Sequence, residues 1–312
     1  MDRQVLFHRD YRRFTGGHLK VWDYYNHVRS AAGWRPEIMF SAESVWDAGN
    51  PWAQERGMVL PPDAAPKPDV FFVAGLDWQA LGPLMQAAPR APVINLLQGP
   101  AHVRPEDPRY AFLGRPAVRI CVSDDLRDAV LATGKVAGPV HVIPNGMDRS
   151  LLPAALPAAQ KDIDLLVAAS KNPGMGLRLQ RVLEASGLRT RFLQERLPRA
   201  EFQAAIRGAR MTLFLPRLEE GFYLPALEGM ALETLVICPD CVGNRSFCLP
   251  GVNCLRPDYS LEALAAALET ARRMTAAEVA VLREQALATV AKHSLMAERR
   301  AFLDILSGVS GG

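Results

Sequence analysis

Several features that would class a chain at sight are missing from this one. No apolar stretch in its 312 residues approaches the length of a membrane-spanning helix. The opening MDRQVLFHRD lacks the layout of a signal peptide, so cytoplasmic residence is the expectation. No Gly-Lys-Ser/Thr completes a P-loop, and the dinucleotide-binding glycine fingerprint is absent. Neither sign of charge dominates. Residues 1–150 carry 17 basic and 16 acidic side chains and the remainder 19 and 17, for a net charge of +3. That spread excludes the basic stripe of a nucleic-acid-binding surface. One local excess exists in residues 1–35, seven Lys or Arg against three Asp. A solvated first helix accounts for it most simply; the alternative is a face lying loosely against the inner side of a membrane, peripheral at most. No internal repeat or low-complexity segment stands out.

What is present describes a globular chain of two ordinary-sized domains, with 49% hydrophobic and 22% charged residues. Strand-like runs fall at 4–8, 69–74, 93–97, 118–122 and 140–143, with helical or irregular segments between, one helix covering about 18–32. Pro153 and Pro157 interrupt an alanine-rich linker at 151–161. Strands then resume at 163–168, 190–194, 211–215 and 235–238, with helices at 174–186, 199–208, 224–233 and 260–271 and a helical tail at 276–306. Strands alternating with helices predict α/β architecture: two Rossmann-like doubly wound domains, each with a parallel sheet, facing a cleft. The first spans residues 1–150 and the second 151–290.

The most informative block is 219–247, EEGFYLPALEGMALETLVICPDCVGNRSF. Glu220 lies in a glycine-punctuated loop, and Glu228, eight positions on, is expected in the opening turn of a helix. Pro225 suits a first helical turn, where its missing N–H costs nothing. Unpaired amides and the helix dipole at such a terminus face a ligand, and Gly221 lets the backbone approach it. Anion-accepting amides beside two carboxylates suit a sugar carried on a diphosphate.

These residues resemble the donor-site signature of the large retaining glycosyltransferase family with the GT-B fold, glycosyl transferases group 1. Its pattern reads roughly Glu-Gly-Phe-Gly-Leu-Pro-x-x-Glu, a buried strand, then Gly-Asn-Arg-Glu. Here Tyr223 replaces the second glycine and Ser246 the last glutamate, while Cys238 and Cys241 stand where small or apolar residues are usual. Val142-Ile143-Pro144-Asn145-Gly146-Met147-Asp148 resembles the family's interdomain junction. The resemblance implies that Glu220 contacts the donor sugar and Glu228 the ribose, with Gly221, Phe222, Tyr223, Leu224 and Asn244 also around the donor. It implies that the last helix, within 291–312, crosses back onto the first domain. It implies transfer of a sugar from a nucleotide diphosphate sugar to a hydroxyl acceptor, with retention at the anomeric carbon. The acceptor is unspecified, a lipid-linked saccharide or another glycan being candidates. Neither a metal nor a cofactor is expected.

The family places an Arg and a Lys near the donor phosphates, just after the first strand of the second domain. Met175 occupies the lysine position, and Ala169 or Ser170 the arginine position. Lys171 is the candidate replacement and Arg178 the reserve. Gly16 and Gly17, between the first strand and first helix, are placed beside the diphosphate, with His18 as a further contact. Where family members carry a histidine near the reacting sugar, this chain has Gln98, and His102 follows on a loop that could reach the crevice. The candidate catalytic residues are thus Glu220, Lys171 and His102. Cys238 and Cys241 have the spacing of zinc ligands, yet Val236-Ile237-Cys238 reads as the end of a buried strand, and metal is not expected there. Two rival functions share these features: a nucleotide-sugar epimerase, and a catalytically silent nucleotide-sugar-binding module.

Overall fold

The structure is a computed structural model that describes residues 2–309. They divide into two compact units, one of residues up to Asn145 and from Leu295 onward, the other of Gly146–Ser294.

The first unit begins with β1 (Arg3–Arg9), α1 (Gly16–Arg29), β2 (Trp34–Phe40) and β3 (Val70–Ala74). It continues with α2 (Asp77–Ala80), α3 (Gly82–Ala87), β4 (Val93–Leu97), β5 (Val118–Cys121), α4 (Asp124–Ala132) and β6 (Val140–Val142). All six strands are parallel, in the order β2-β1-β3-β4-β5-β6. Alternate side chains of β1 and β3 serve opposite faces. Leu6, Phe71 and Val73 join Trp78, Leu81 and Phe112 in one cluster. On the other face Phe7 and Phe72 stack 4.7 Å apart, with Phe72 against Tyr24 of α1.

The strand at 34–40 was not expected from the sequence, because Pro36 interrupts the run. A proline lacks the ladder donor and is confined to sheet edges. Here it pairs with Val5 in the edge strand β2. The first helix starts two residues earlier than expected. Thr15 caps it by accepting from the His18 amide, which puts Gly16 and Gly17 in its first turn rather than in a loop. The basic excess of residues 1–35 meets carboxylates: Arg9 pairs with Asp77, Arg12 with Asp10 and Glu43, Lys20 with Asp23, Arg29 with Glu55 and Arg35 with Glu37. Five of the seven cations are accounted for in this way, which leaves little for a cationic face.

The second unit contains β7 (Ile163–Ala168), α5 (Pro173–Leu183), β8 (Thr190–Leu193), α6 (Arg199–Gly208) and β9 (Ala209–Phe214). After these come α7 (Leu224–Ala231), β10 (Leu235–Ile237), α8 (Leu261–Arg273) and α9 (Ala276–Lys292). Its four strands are again parallel, ordered β10-β9-β7-β8. Leu165, Val167, Leu213, Leu235 and Ile237 pack with Met175, Leu179, Leu264 and Leu268.

The tail is not one helix. It breaks at His293 and Ser294, where Met147 donates to the His293 carbonyl at 2.9 Å and bridges Ser294. Residues 291 and 292 still belong to α9, and α10 (Leu295–Val309) packs in the first unit. Glu298 there accepts from Lys20 at 2.6 Å and from His27 at 3.0 Å, and Phe302 meets Tyr24 edge-on. The remainder of the expected crossing segment, 310–312, lies outside the described residues. Among the described residues no helix is long and apolar enough to cross a membrane.

Candidate functional site

In an open parallel sheet, ligands bind beyond the carboxyl ends of the strands, where the chain turns left after one strand and right after another. In the second unit that switch point lies between β7 and β9, because β8 and β9 flank β7 on opposite sides. Two charged side chains meet across it. Lys171, in the loop after β7, donates to Glu220 Oε1, in the loop after β9, at 2.6 Å. The Lys171 ammonium also sits 5.1 Å from the centre of the Tyr223 ring. Tyr259, which sequence reading missed, ties the same two loops. Its hydroxyl donates to the Pro216 carbonyl at 2.6 Å and accepts from Asn172 at 3.2 Å.

Met175 is absent from this group because it belongs to the apolar core, 5% exposed. Arg178 is exposed on α5 and joins no contact with Glu220. Lys171 is therefore the cation that the fold pairs with Glu220.

Glu228 departs from expectation. It is the fifth residue of α7, in the second turn rather than the first, and is 7% exposed. Arg199 Nη2 donates to its Oε1 at 2.8 Å and Gln203 Nε2 at 3.1 Å, both from α6. Burial pushes the carboxyl above its ordinary value, while Arg199 and Gln203 pull it back. Neither partner was foreseen, since a contact 29 positions away leaves no local mark in the chain.

The loop ahead of α7 is held by the turn at Val242–Asn244. Tyr223 donates to the Gly243 carbonyl at 2.8 Å, and Val242 to Leu218 at 3.2 Å. A Cβ on Gly243 would stand 2.7 Å from the Glu220 carbonyl oxygen and 2.8 Å from the Phe222 nitrogen, so only glycine fits. The Asn244 side chain is occupied within its own turn. Its amide donates to Pro239 and Cys238 Sγ and accepts from the Cys241 amide, and it is fully buried. Phe222 and Tyr223 are buried too, Phe222 stacking on Phe247 at 4.9 Å. Their side chains shape the loop, in which Gly221 is buried as well and Leu224, at the helix start, is half-buried.

Five free cysteines are buried. Cys248 contacts Cys238 and Cys254, and burial pushes its thiol well up. Among the described residues no three His, Cys, Asp or Glu side chains are placed to hold a metal ion. An Asp-x-Asp triplet does occur, Asp162-Ile163-Asp164. It opens β7 at the opposite end of the strand from Lys171, and Asp164 is paired with Arg189 at 2.7 Å.

The first unit has its own switch point, between β1 and β3. Sequence reading brought Gly17, His18 and Gln98 to this end, and the structure joins them: Gln98 donates to the Gly17 carbonyl at 3.3 Å. His18 lies 4.9 Å from the Tyr11 ring, and burial with Arg9 nearby lowers it to about 4. Three residues here were missed. Asp77 accepts from the Ala74 amide at 2.8 Å, pairs with Arg9, and lies 3.1 Å from His8 Nδ1. His102 does not belong to this group. It sits in a short 3₁₀ turn, 4% exposed, with Nδ1 on the Gly99 carbonyl at 3.1 Å and Nε2 buried. A ring sealed from solvent cannot exchange a proton with substrate, which removes it from the catalytic candidates.

Residues 145–273 match the family described as glycosyl transferases group 1. No curated protein matches the chain in sequence. Solved structures match it in fold. HepE from Anabaena, in complex with UDP and glucose, superposes with a TM-score of 0.75 at 14% identity, covering 98% of this chain and 100% of that one. Sucrose-phosphate synthase from Thermosynechococcus elongatus gives 0.72 at 13%, covering 98% and 99%. A glycosyltransferase from Rickettsia africae gives 0.69 at 13%, covering 100% and 99%. The α/β architecture of two parallel-sheet units is that of GT-B structures, and residues 145–273 are what this chain shares in sequence with the glycosyl transferases group 1 family.

Proposed function

We propose that this chain transfers a sugar from a nucleotide diphosphate sugar to a hydroxyl acceptor, with retention of anomeric configuration and without a metal or cofactor. The observation that carries the reading is the Lys171–Glu220 pair across the β7/β9 switch point, with Glu228 held on the helix that follows, α7, by Arg199. Lys171 and Glu220 are partly exposed, their side chains 35% and 16% accessible. Such a pair contributes at most about 1 kcal/mol, so a ligand can separate it at little cost. Lys171 would then meet the diphosphate, and Glu220 would accept from sugar hydroxyls. Glu228 would take the ribose, with the Gly221 and Leu224 backbone lining the donor. In the first unit Gly16, Gly17, His18 and Gln98 remain the proposed donor contacts, and that unit is the proposed acceptor-side domain.

In the proposed reaction the bond from the anomeric carbon to the diphosphate breaks as the acceptor oxygen bonds to the same face. The hydroxyl proton passes to the departing phosphate oxygen. Charge growing on the diphosphate is met by Lys171 and backbone amides, which are fixed before reaction begins. No side-chain nucleophile is required. UDP, bound in the HepE structures, is the first nucleotide to test.

A thermal-shift screen with UDP, GDP, ADP, dTDP and CMP, followed by donor turnover against an acceptor panel, tests the proposal. A ligand that binds only the folded protein raises its melting point. One observation favours a second reading. With Met175 in the core and Gln98 at the β4 end, the site lacks a lysine at the family's position and a histidine that can relay a proton at the latter one. Donor binding without transfer or hydrolysis would support a silent binding module. A changed sugar without acceptor would support an epimerase.

A further inference from the structure

Glu228 is the carboxylate of this site that the fold has withdrawn from water, and it is held by one oxygen. Arg199 and Gln203 both donate to Oε1. Oε2 has no hydrogen-bond partner among the described residues, and it is not sealed from solvent. A buried carboxylate stays ionised only where donors replace its lost hydration. Of the elements packed against α7, only α6 brings charge to Glu228, through Arg199. The β9 and β10 side chains that meet the helix beside it, Phe214 and Val236 at Gly229, are apolar.

We infer that Arg199 and Gln203 are positioning residues for the donor: they clamp one oxygen of Glu228 and present the other, with its lone pairs free, to the ribose diol of a nucleoside diphosphate. The inference rests on the proposed meeting of Glu228 with the ribose. Arg199 is the first residue of α6, directly after Pro198, whose fixed φ suits the turn into a helix. The rigid entry sets where the guanidinium stands. Gln203, one helical turn on, lies on the same face and reaches the same oxygen. Two donors on one acceptor define the plane of the carboxylate, which one alone would leave free to rotate.

Isothermal titration with UDP, and with GDP, ADP and dTDP if UDP does not bind, tests this between about pH 5.5 and 8.5. Arg199→Gln should weaken binding about tenfold or more near neutrality. Its loss of affinity on acidification should be centred at higher pH than in the wild type, because Glu228 then protonates earlier. Arg199→Lys should recover part of both effects, since a point charge replaces the planar donor. Gln203→Met should cost less and move the midpoint less. Glu228→Gln should show no such midpoint, leaving only the titration of the phosphate itself. A merely structural role would lower the melting point without moving the midpoint. A folded Arg199→Gln protein with wild-type affinity and an unmoved midpoint overturns the inference alone. Wild-type protein that binds none of the four nucleotides overturns the donor-site proposal and this inference with it.

Discussion

Acid should unfold the first unit through His102, and removing that ring should blunt the effect. An exposed histidine titrates near 6.5, whereas burial lowers His102 to about 4, the hydrogen bond to Gly99 offsetting part of that shift. Between those values the unfolded chain takes up a proton that the folded chain refuses. The stabilisation is therefore complete above 6.5 and is lost as pH falls toward 4. Integrating the two titrations gives a loss of about 2 kcal/mol by pH 5 and about 3 kcal/mol by pH 4, relative to neutrality. All five tryptophans, Trp22, Trp34, Trp46, Trp52 and Trp78, lie in the same unit as His102. Urea unfolding followed by tryptophan fluorescence thus reports on that unit. His102→Asn keeps an amide donor for Gly99 and removes the titration. The difference in stability between about pH 7.5 and pH 5 should shrink by about 2 kcal/mol, with His18 supplying a residual slope. Donor turnover at neutral pH should survive, because the ring does not reach substrate. A variant as acid-sensitive as the wild type, or one folded but inactive, would refute the reasoning.

Glu228→Ala should raise the dissociation constant for the bound nucleoside diphosphate, by about 1.5–3 kcal/mol for a charge-assisted hydrogen bond to ribose; calorimetry on folded variant checks it, and unchanged affinity counts against the assignment. Glu220→Gln preserves size but removes charge, so transfer should fall by about 2 kcal/mol or more at the barrier while affinity for bare nucleoside diphosphate stays level. Equal weakening of nucleotide and nucleotide-sugar binding would mean that Glu220 has been misplaced. Gly243→Ala drives a methyl into the backbone of Glu220 and Phe222 and should cost about 1–3 kcal/mol, read as a lower melting point together with weaker donor binding.

The chain alone determined the alternation of strands and helices, because buried parallel strands need short apolar runs and their crossover helices need amphipathic ones. It also determined the helix that carries Glu228 and the loop before it, since Pro225 suits a first helical turn whatever packs around it. Edge strand β2 escaped notice, because Pro36 is tolerated only at a sheet edge and edge position is a property of the assembled sheet. The break at His293 and Ser294 escaped for a similar reason: its partner is Met147, nearly half the chain away. Which charges meet was decided by the tertiary structure alone. Lys171 finds Glu220 across 49 positions, Arg199 finds Glu228 across 29, and Arg9 finds Asp77 across 68. Local sequence sets backbone preference, whereas a carboxylate's ionisation depends on solvent exclusion and on donors brought from other elements. The same dependence buried His102 and left Lys171 partly open, although both stood in the sequence as loop residues.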